Sequence, residues 1–377
     1  MESIKGVLVG LVLFLGAFAV LFWNEGRAVK TAKALEEGSN TVQTISIDEV
    51  LESNDRKLVH IIGKATTSDT LTDDRFGVSF HGIKLSRVVE MYQWKEKQSS
   101  KTKKKLGGSE ETVTTYDYVK DWSGSLIRSN EFKRKEGHSN PDRFMYEAKK
   151  YAAQDVSLGA FKLSGSLIGG INKSEALMVE SIDTILVPKS TTISGKVYIG
   201  SRNASNPKIG DMRVSFTRVG EMDVSIVAQQ VANTFEPYVA ENGEQVELLE
   251  IGTMSAKLMF ANAQASNKIM TWVLRLVGFV MMFAGLTMIF SPLVVFADVI
   301  PFLGTILSMG LSVFSGIITL TLSLLTISIA WLVYRPMVGI VLIIVGVGVL
   351  LGIKYLADKK KKSQAPPPEK EVTQSSE

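Results

Sequence analysis

The sequence predicts an α+β membrane protein: four transmembrane helices, one N-terminal and three C-terminal, with a large β-rich ectodomain carried on helical stalks. Three observations carry that prediction. The chain of 377 residues is 45% hydrophobic and only 21% charged, and its mean hydropathy of +0.16 is high for a soluble protein. Its apolar residues are crowded at the two ends: Gly6 to Trp23 carries no charge, and between Arg275 and Lys354 the only charged residues are Asp298 and Arg335. The middle instead shows period-two stretches rich in β-branched and aromatic residues.

Gly6 to Trp23 is long enough to cross a bilayer core as a helix, with residues 1–5 on the cytoplasmic side. Lys5 followed by Ala17-Phe18-Ala19 also has the form of a cleavable signal peptide. The apolar run continues to an interfacial aromatic at Trp23, which favours an uncleaved anchor. Residues 24–38 are helix-forming up to Gly38, a natural left-handed stop, and predict a first stalk. A second stalk is expected over 253–271.

Between the stalks, strands are expected at Thr41 to Ile47, Lys57 to Ile62, Ile83 to Trp94, Thr112 to Trp122, Thr192 to Ile199, Met212 to Val219, Met222 to Gln229 and Gln245 to Ile251. The third and fourth read as a hairpin whose loop, Glu96 to Glu111, carries Lys101, Lys103, Lys104 and Lys105 as a solvated tip. Gly63-Lys64 before Val78-Ser79-Phe80 echoes Gly195-Lys196 before Val214-Ser215-Phe216, a short hint of two related subdomains.

A second span is expected over 276–297 and an interfacial segment over 299–311, where Gly304, Gly310 and Gly316 interrupt the apolar run. Further spans are expected over 312–333 and 337–353, joined by the turn Tyr334-Arg335-Pro336. Lys354 and Lys359 to Lys362 mark the tail, 354–377, as cytoplasmic and disordered. Four spans then put the polar middle, 24–271, on the opposite side.

The composition excludes several chemistries. There is no Cys, so there is no disulfide, thiolate nucleophile or Cys-ligated metal, and the three His residues have no ligand spacing. A net charge of +4 offers no field for nucleic acid, and no partner of that kind is expected. No nucleotide loop, zincin helix or nucleophile elbow occurs, so no catalytic residue, metal site or cofactor is predicted. His60 in its apolar run reads as a packed, hydrogen-bonded histidine.

Six strings are explained by neither burial nor periodicity: Asn24-Glu25-Gly26-Arg27-Ala28, Leu58-Val59-His60-Ile61-Ile62-Gly63, Val89-Glu90-Met91-Tyr92-Gln93-Trp94, Gly137-His138-Ser139-Asn140-Pro141, Gly210-Asp211-Met212-Arg213-Val214-Ser215-Phe216 and Tyr334-Arg335-Pro336. In this order they resemble the transmembrane protein 43 family, also called LUMA, from about Leu21 to Tyr355. The resemblance implies one N-terminal and three C-terminal spans around a lumenal domain, self-association and organisation of the nuclear envelope. It also implies inner nuclear membrane or endoplasmic reticulum residence, with emerin and lamin-type partners, in a eukaryotic host. A first span close to Met1, the lack of Cys and a longer basic tail depart from animal members and lean toward a bacterial inner membrane with a periplasmic ectodomain.

The expected function is therefore a non-enzymatic membrane scaffold that forms homo-oligomers and contacts the lipid bilayer and other membrane proteins. Asn24, Glu25 and Arg27 are expected to form a salt-bridged collar. Arg335 is expected at headgroup depth, and Arg213 belongs to a candidate contact string. The alternative is a ligand-binding receptor or enzyme whose site would join Glu90, Tyr92, Trp94, His138 and Asp211, a reading that requires those side chains to share a pocket.

Overall fold

A computed structural model describes residues 2–104, 110–201, 203–297, 303–337 and 340–341. Residues 299–302 of the interfacial segment expected over 299–311, most of the expected span 337–353 and the tail lie outside the described residues. Helices α1 (Glu2–Thr41), α2 (Gly165–Gly170), α3 (Ala256–Ala297) and α4 (Leu303–Tyr334) accompany a strand-rich middle. The described residues divide into two compact units, a helical one built from those up to Val29, from Lys268–Ala297 and from 303–337 and 340–341, and a polar one over Lys30–Asn267.

In the helical unit the apolar parts of α1, α3 and α4 lie side by side, and each is long and apolar enough to cross a membrane. Leu21 meets Gly278, and Gly10 meets Gly285 and Met288, so α1 and α3 are antiparallel. Ser323 reaches Met282, and the Phe314 ring lies 6.2 Å from Phe290, so α4 is antiparallel to α3. The α1–α3 crossing is close because both helices lack a side chain there. A Cβ on Gly285 would stand 2.6 Å from the Phe14 nitrogen and 2.7 Å from the Gly10 carbonyl. Ala17, Leu21 and Met282 fill the centre of the bundle.

Helix α4 runs unbroken from Leu303, so residues 303–311 are helix and not a separate interfacial segment. A glycine inside a helix costs about 1 kcal/mol. An unbonded peptide group in hydrocarbon costs several, so the backbone stays helical through Gly304, Gly310 and Gly316. Gly38 likewise fails to stop α1, which continues to Thr41. It is the contact point for another element, since a Cβ there would stand 2.9 Å from the Phe260 ring.

The polar unit holds two seven-stranded sheets. In the first, Thr234–Glu236, Met222–Val231, Leu58–Thr67, Val156–Leu158 and Phe161–Lys162 follow one another, with Gln43–Thr44 and Leu248–Ile251 attached. One face buries Val59, Ile61, Leu158, Phe161 and Ile226. The other packs Leu58 and Val227 against Leu35, Met259 and Phe260 of α1 and α3, which is why Leu58 to Ile61 are buried on both faces. Here His60 is held between Thr44 Oγ1 at 3.1 Å and the Met254 carbonyl at 2.9 Å. Burial lowers its pKa, although the bond to Met254 opposes that shift.

The second sheet runs Ser190–Ile193, Lys196–Ile199, Met212–Val219, Lys84–Lys104, Glu110–Ser123, with Glu175–Leu177 and Lys149–Ala152 attached. Its inner face buries Leu85, Val89, Met91, Val214 and Phe216. The segment expected as one strand over 192–199 is two, folded at Ser194-Gly195, both in the left-handed region. Gly63 lies mid-strand whereas Gly195 lies in this turn, so the sequence echo does not mark equivalent positions. The hairpin is longer than expected: its ladder pairs Met91 with Ser123 and extends to Lys104 with Glu110, so most of the anticipated loop is strand. Tyr118, Tyr116 and Thr114 on the return strand supply β propensity to the polar segment opposite them.

Candidate functional site

The string Asn24 to Arg27 occupies consecutive positions of α1 just beyond Trp23, and each residue meets a different group. Asn24, fully buried, donates its amide to the Thr271 carbonyl at 3.0 Å. Glu25 is 1% exposed, yet its carboxylate accepts from Arg275 Nε at 2.6 Å, Arg275 Nη2 at 2.9 Å and Trp331 Nε1 at 2.8 Å. Gly26 lies under Tyr334, whose ring a Cβ would approach to 2.6 Å. Arg27 donates to Asn24 Oδ1 at 3.3 Å and to Thr271 Oγ1 at 3.2 Å.

These contacts tie α1, α3 and α4 at one level. Thr271 and Arg275 are one helical turn apart on α3, as are Trp331 and Tyr334 on α4, so each helix presents its pair on one face. The Arg275 guanidinium lies 4.7 Å from the Trp272 ring centre and 5.9 Å from that of Trp331, and the two rings shield its charge. A carboxylate that is desolvated but accepts three donors, two of them from a fork-matched guanidinium, is a geometrically specific lock. The collar expected from Asn24, Glu25 and Arg27 thus has partners that sequence reasoning did not name: Thr271, Arg275 and Trp331. Arg335 follows α4 directly and is exposed, its backbone N–H bonded to the Trp331 carbonyl at 2.7 Å.

The other candidates lie on the second sheet. Glu90, Tyr92 and Trp94 alternate onto the outer face, opposite in parity to buried Val89, Met91 and Gln93. Arg213 sits across from Glu90 and bonds it at 2.6 Å, while its guanidinium lies 4.6 Å from the Trp122 ring centre. Tyr92 packs on Trp122 at 5.3 Å. Lys120 covers Trp94 at 4.6 Å, and His138 meets Trp94 edge-on at 4.7 Å and stacks on Tyr118 at 3.9 Å. Asn140 fixes the 137–141 loop to this edge through the backbone N–H and carbonyl of Trp94.

Asp211 does something different. Its carboxylate accepts from the backbone N–H groups of Ser201 and Lys208, each at 2.8 Å, and from the Ser201 hydroxyl, clamping the loop between two strands. The outer face thus carries two aromatic and charged clusters, Glu90 and Arg213 with Tyr92 and Trp122, and Trp94 and His138 with Tyr118 and Lys120, while the Asp211 carboxylate binds its own loop. Trp94 touches His138, and Asp211 adjoins Tyr92 only through the backbone, the Tyr92 N–H donating to the Asp211 carbonyl at 2.8 Å. The cleft of about 950 Å³ beside this region is lined by Val89, Leu126 and the segment from Pro141 to Ala148 and contains none of the five residues of the pocket reading.

A family model described as transmembrane protein 43 matches residues 91–336. Transmembrane protein 43 of Mus musculus is 36% identical over 348 residues, covering 89% of this chain and 86% of that protein. The chain belongs to the transmembrane protein 43 family. The human protein of that name is 35% identical with the same coverage, and the transmembrane protein 43 homolog of Drosophila melanogaster is 27% identical over 90% of this chain and 91% of its own length. No solved structure matches. Membership in this family and three apolar helices make the chain an integral membrane protein, and the family match spans the outer-face residues from Tyr92 onward and the α3 and α4 parts of the polar lock.

Proposed function

We propose that this family member is a non-enzymatic membrane scaffold that self-associates and holds its polar domain as a contact surface for other membrane proteins. It crosses the membrane four times, the last over 337–353, and α1 and α3 act as stalks. The observation that carries this reading is the polar lock. Because Glu25, Arg275 and Trp331 share one level, the end of α4 lies level with the residues that lead into and out of the 24–271 segment. One further crossing then takes Lys354 and the lysines at 359–362 to the opposite face, as basic flanks require. The far compartment is periplasm in a bacterial host and lumen in a eukaryotic one.

Two surfaces support assembly. The outer face of the second sheet is rich in Trp, Tyr and Arg, the residues that dominate interface energetics. On α4, among the described residues, a Cβ added to Gly310 would meet no atom within 4 Å and Val313 is 60% exposed, which supports close approach by a second copy along this stripe. The chain has no Cys, so single cysteines report cleanly. Val313→Cys is expected to crosslink to a second copy in native membranes. Ser99→Cys and Ser375→Cys are expected to label from opposite sides. Recovery of monomer alone would remove the self-association, and labelling of both positions from one side would overturn the topology.

A further inference from the structure

A groove of about 470 Å³ opens on the outer face of the second sheet at the Lys84 end of its longest strand. Strand register builds its floor: Ser86 pairs with Thr217 on one side and Lys150 on the other, so the three side chains stand in a row across adjacent strands. Lys84, two residues along, falls on the same face, and Asn172 and Ser174 close one wall. Among the described residues the lining contains two lysines, the aliphatic hydroxyls of Ser86, Ser174 and Thr217, Tyr151 and the Asn172 amide, and no carboxylate.

This is an unusual arrangement for a sheet surface. Cross-strand neighbours normally pair opposite charges, and like charges placed close together are destabilising. Lys84 is also fixed: it donates to the Gly169 carbonyl at 2.9 Å and to Asn172 Oδ1 at 3.0 Å, which leaves its third proton for the groove. Its pKa is lowered by burial and then by the Lys150 charge, so the two ammonium groups are close enough to repel.

We propose that this groove binds a phosphate oxyanion, either free phosphate or the phosphate of a monoester or lipid headgroup, held between Lys84 and Lys150 with the hydroxyls of Ser86, Thr217 and Ser174 as further donors. A dianion matches the two ammonium groups, and tetrahedral oxygens match donors converging from a floor and a wall.

The test uses the full chain in neutral-lipid nanodiscs, with acylation of Lys84 followed by mass spectrometry. Inorganic phosphate is titrated at constant ionic strength made up with chloride. At a phosphate concentration about ten times Kd, labelling of Lys84 is expected to slow about tenfold, because only the unliganded fraction reacts. Lys150→Met, a change at an exposed side chain, is expected to raise the phosphate Kd about tenfold or more, the value of one charge-assisted hydrogen bond. If a lipid headgroup is the source, nanodiscs containing anionic phospholipid protect Lys84 without added phosphate; if the free oxyanion is the source, only added phosphate does. Labelling that neither phosphate nor anionic lipid slows would overturn the proposal, as would equal protection in Lys150→Met or by chloride alone.

Discussion

Among the described residues, replacing Arg275 with Met removes two of the three donors to the Glu25 carboxylate, at 2.6 and 2.9 Å, and leaves Trp331 Nε1. Glu25 is 1% exposed and cannot recover those bonds from water without opening the helix contact. Breaking one side of a buried ion pair costs about 3–5 kcal/mol. The Arg275 side chain retains 16% exposure, which favours the lower end, about 3 kcal/mol or two powers of ten in the folded ratio. Adding Glu25→Gln removes the stranded charge and keeps an acceptor for Trp331, so the double variant should lie within about 1 kcal/mol of the parent, the net value of a lost neutral hydrogen bond. The assay is a double-mutant cycle on unfolding in mixed micelles followed by tryptophan fluorescence, since Trp272 and Trp331 flank the pair. A coupling energy below about 0.5 kcal/mol would refute the lock, because that is the range of independent sites.

Other consequences can be measured on the same preparation. Gly285→Ala puts a methyl group 2.6 Å from the Phe14 nitrogen and should cost about 1–3 kcal/mol by overpacking, whereas Gly16→Ala, whose Cβ would meet Met281 at an ordinary 3.8 Å, should be neutral or mildly stabilising; equal melting temperatures for the two would contradict the α1–α3 crossing. In the polar unit, Arg87 holds Asp73 through two bonds of 2.6 and 2.7 Å with side-chain exposures of 7% and 0%. Arg87→Met should destabilise that unit by about 3–5 kcal/mol, read as loss of its thermal transition; a drop of only a degree or two would count against it. His60 has a folded pKa below its ordinary 6.5, so the unfolded chain takes up a proton that the folded one refuses. Its stability contribution is whole above pH 6.5 and is lost as pH falls through the folded value, and His60→Gln should flatten that part of the pH–stability profile.

The spans and the strand-rich middle are legible because their signals are local. A charge-free run and a period-two alternation each declare themselves within a dozen residues. Expectations fail where a local rule meets a stronger constraint from elsewhere. Gly38 reads as a helix stop, but its small size serves Phe260. The lysine-rich stretch after Trp94 reads as a loop, but the return strand from Glu110 pairs with it and extends the ladder. His60 is legible as a packed histidine because its apolar neighbours occupy both faces of one strand.

The site divides in the same way. Asn24, Glu25 and Arg27 stand out because polar residues at the mouth of a span need a reason. Their partners are hidden by separation: Arg275 is 250 residues from Glu25, and Trp331 is 306. One signal is present, an acid at the mouth of the first span and a lone Arg at the mouth of the second. Asp211 reads as a possible pocket residue but is a loop clamp, because its acceptors are filled by backbone donors within ten residues.

The sequence by itself determined that the chain carries helices apolar enough to cross a membrane and that a β-rich domain lies between the first and the later ones, since transfer free energy and strand periodicity are sums over neighbouring residues. Only the tertiary structure decided which polar groups would meet. A buried charge chooses its counter-ion by geometry at a few ångströms, and a linear order of residues does not encode distances between helices that the chain visits hundreds of positions apart.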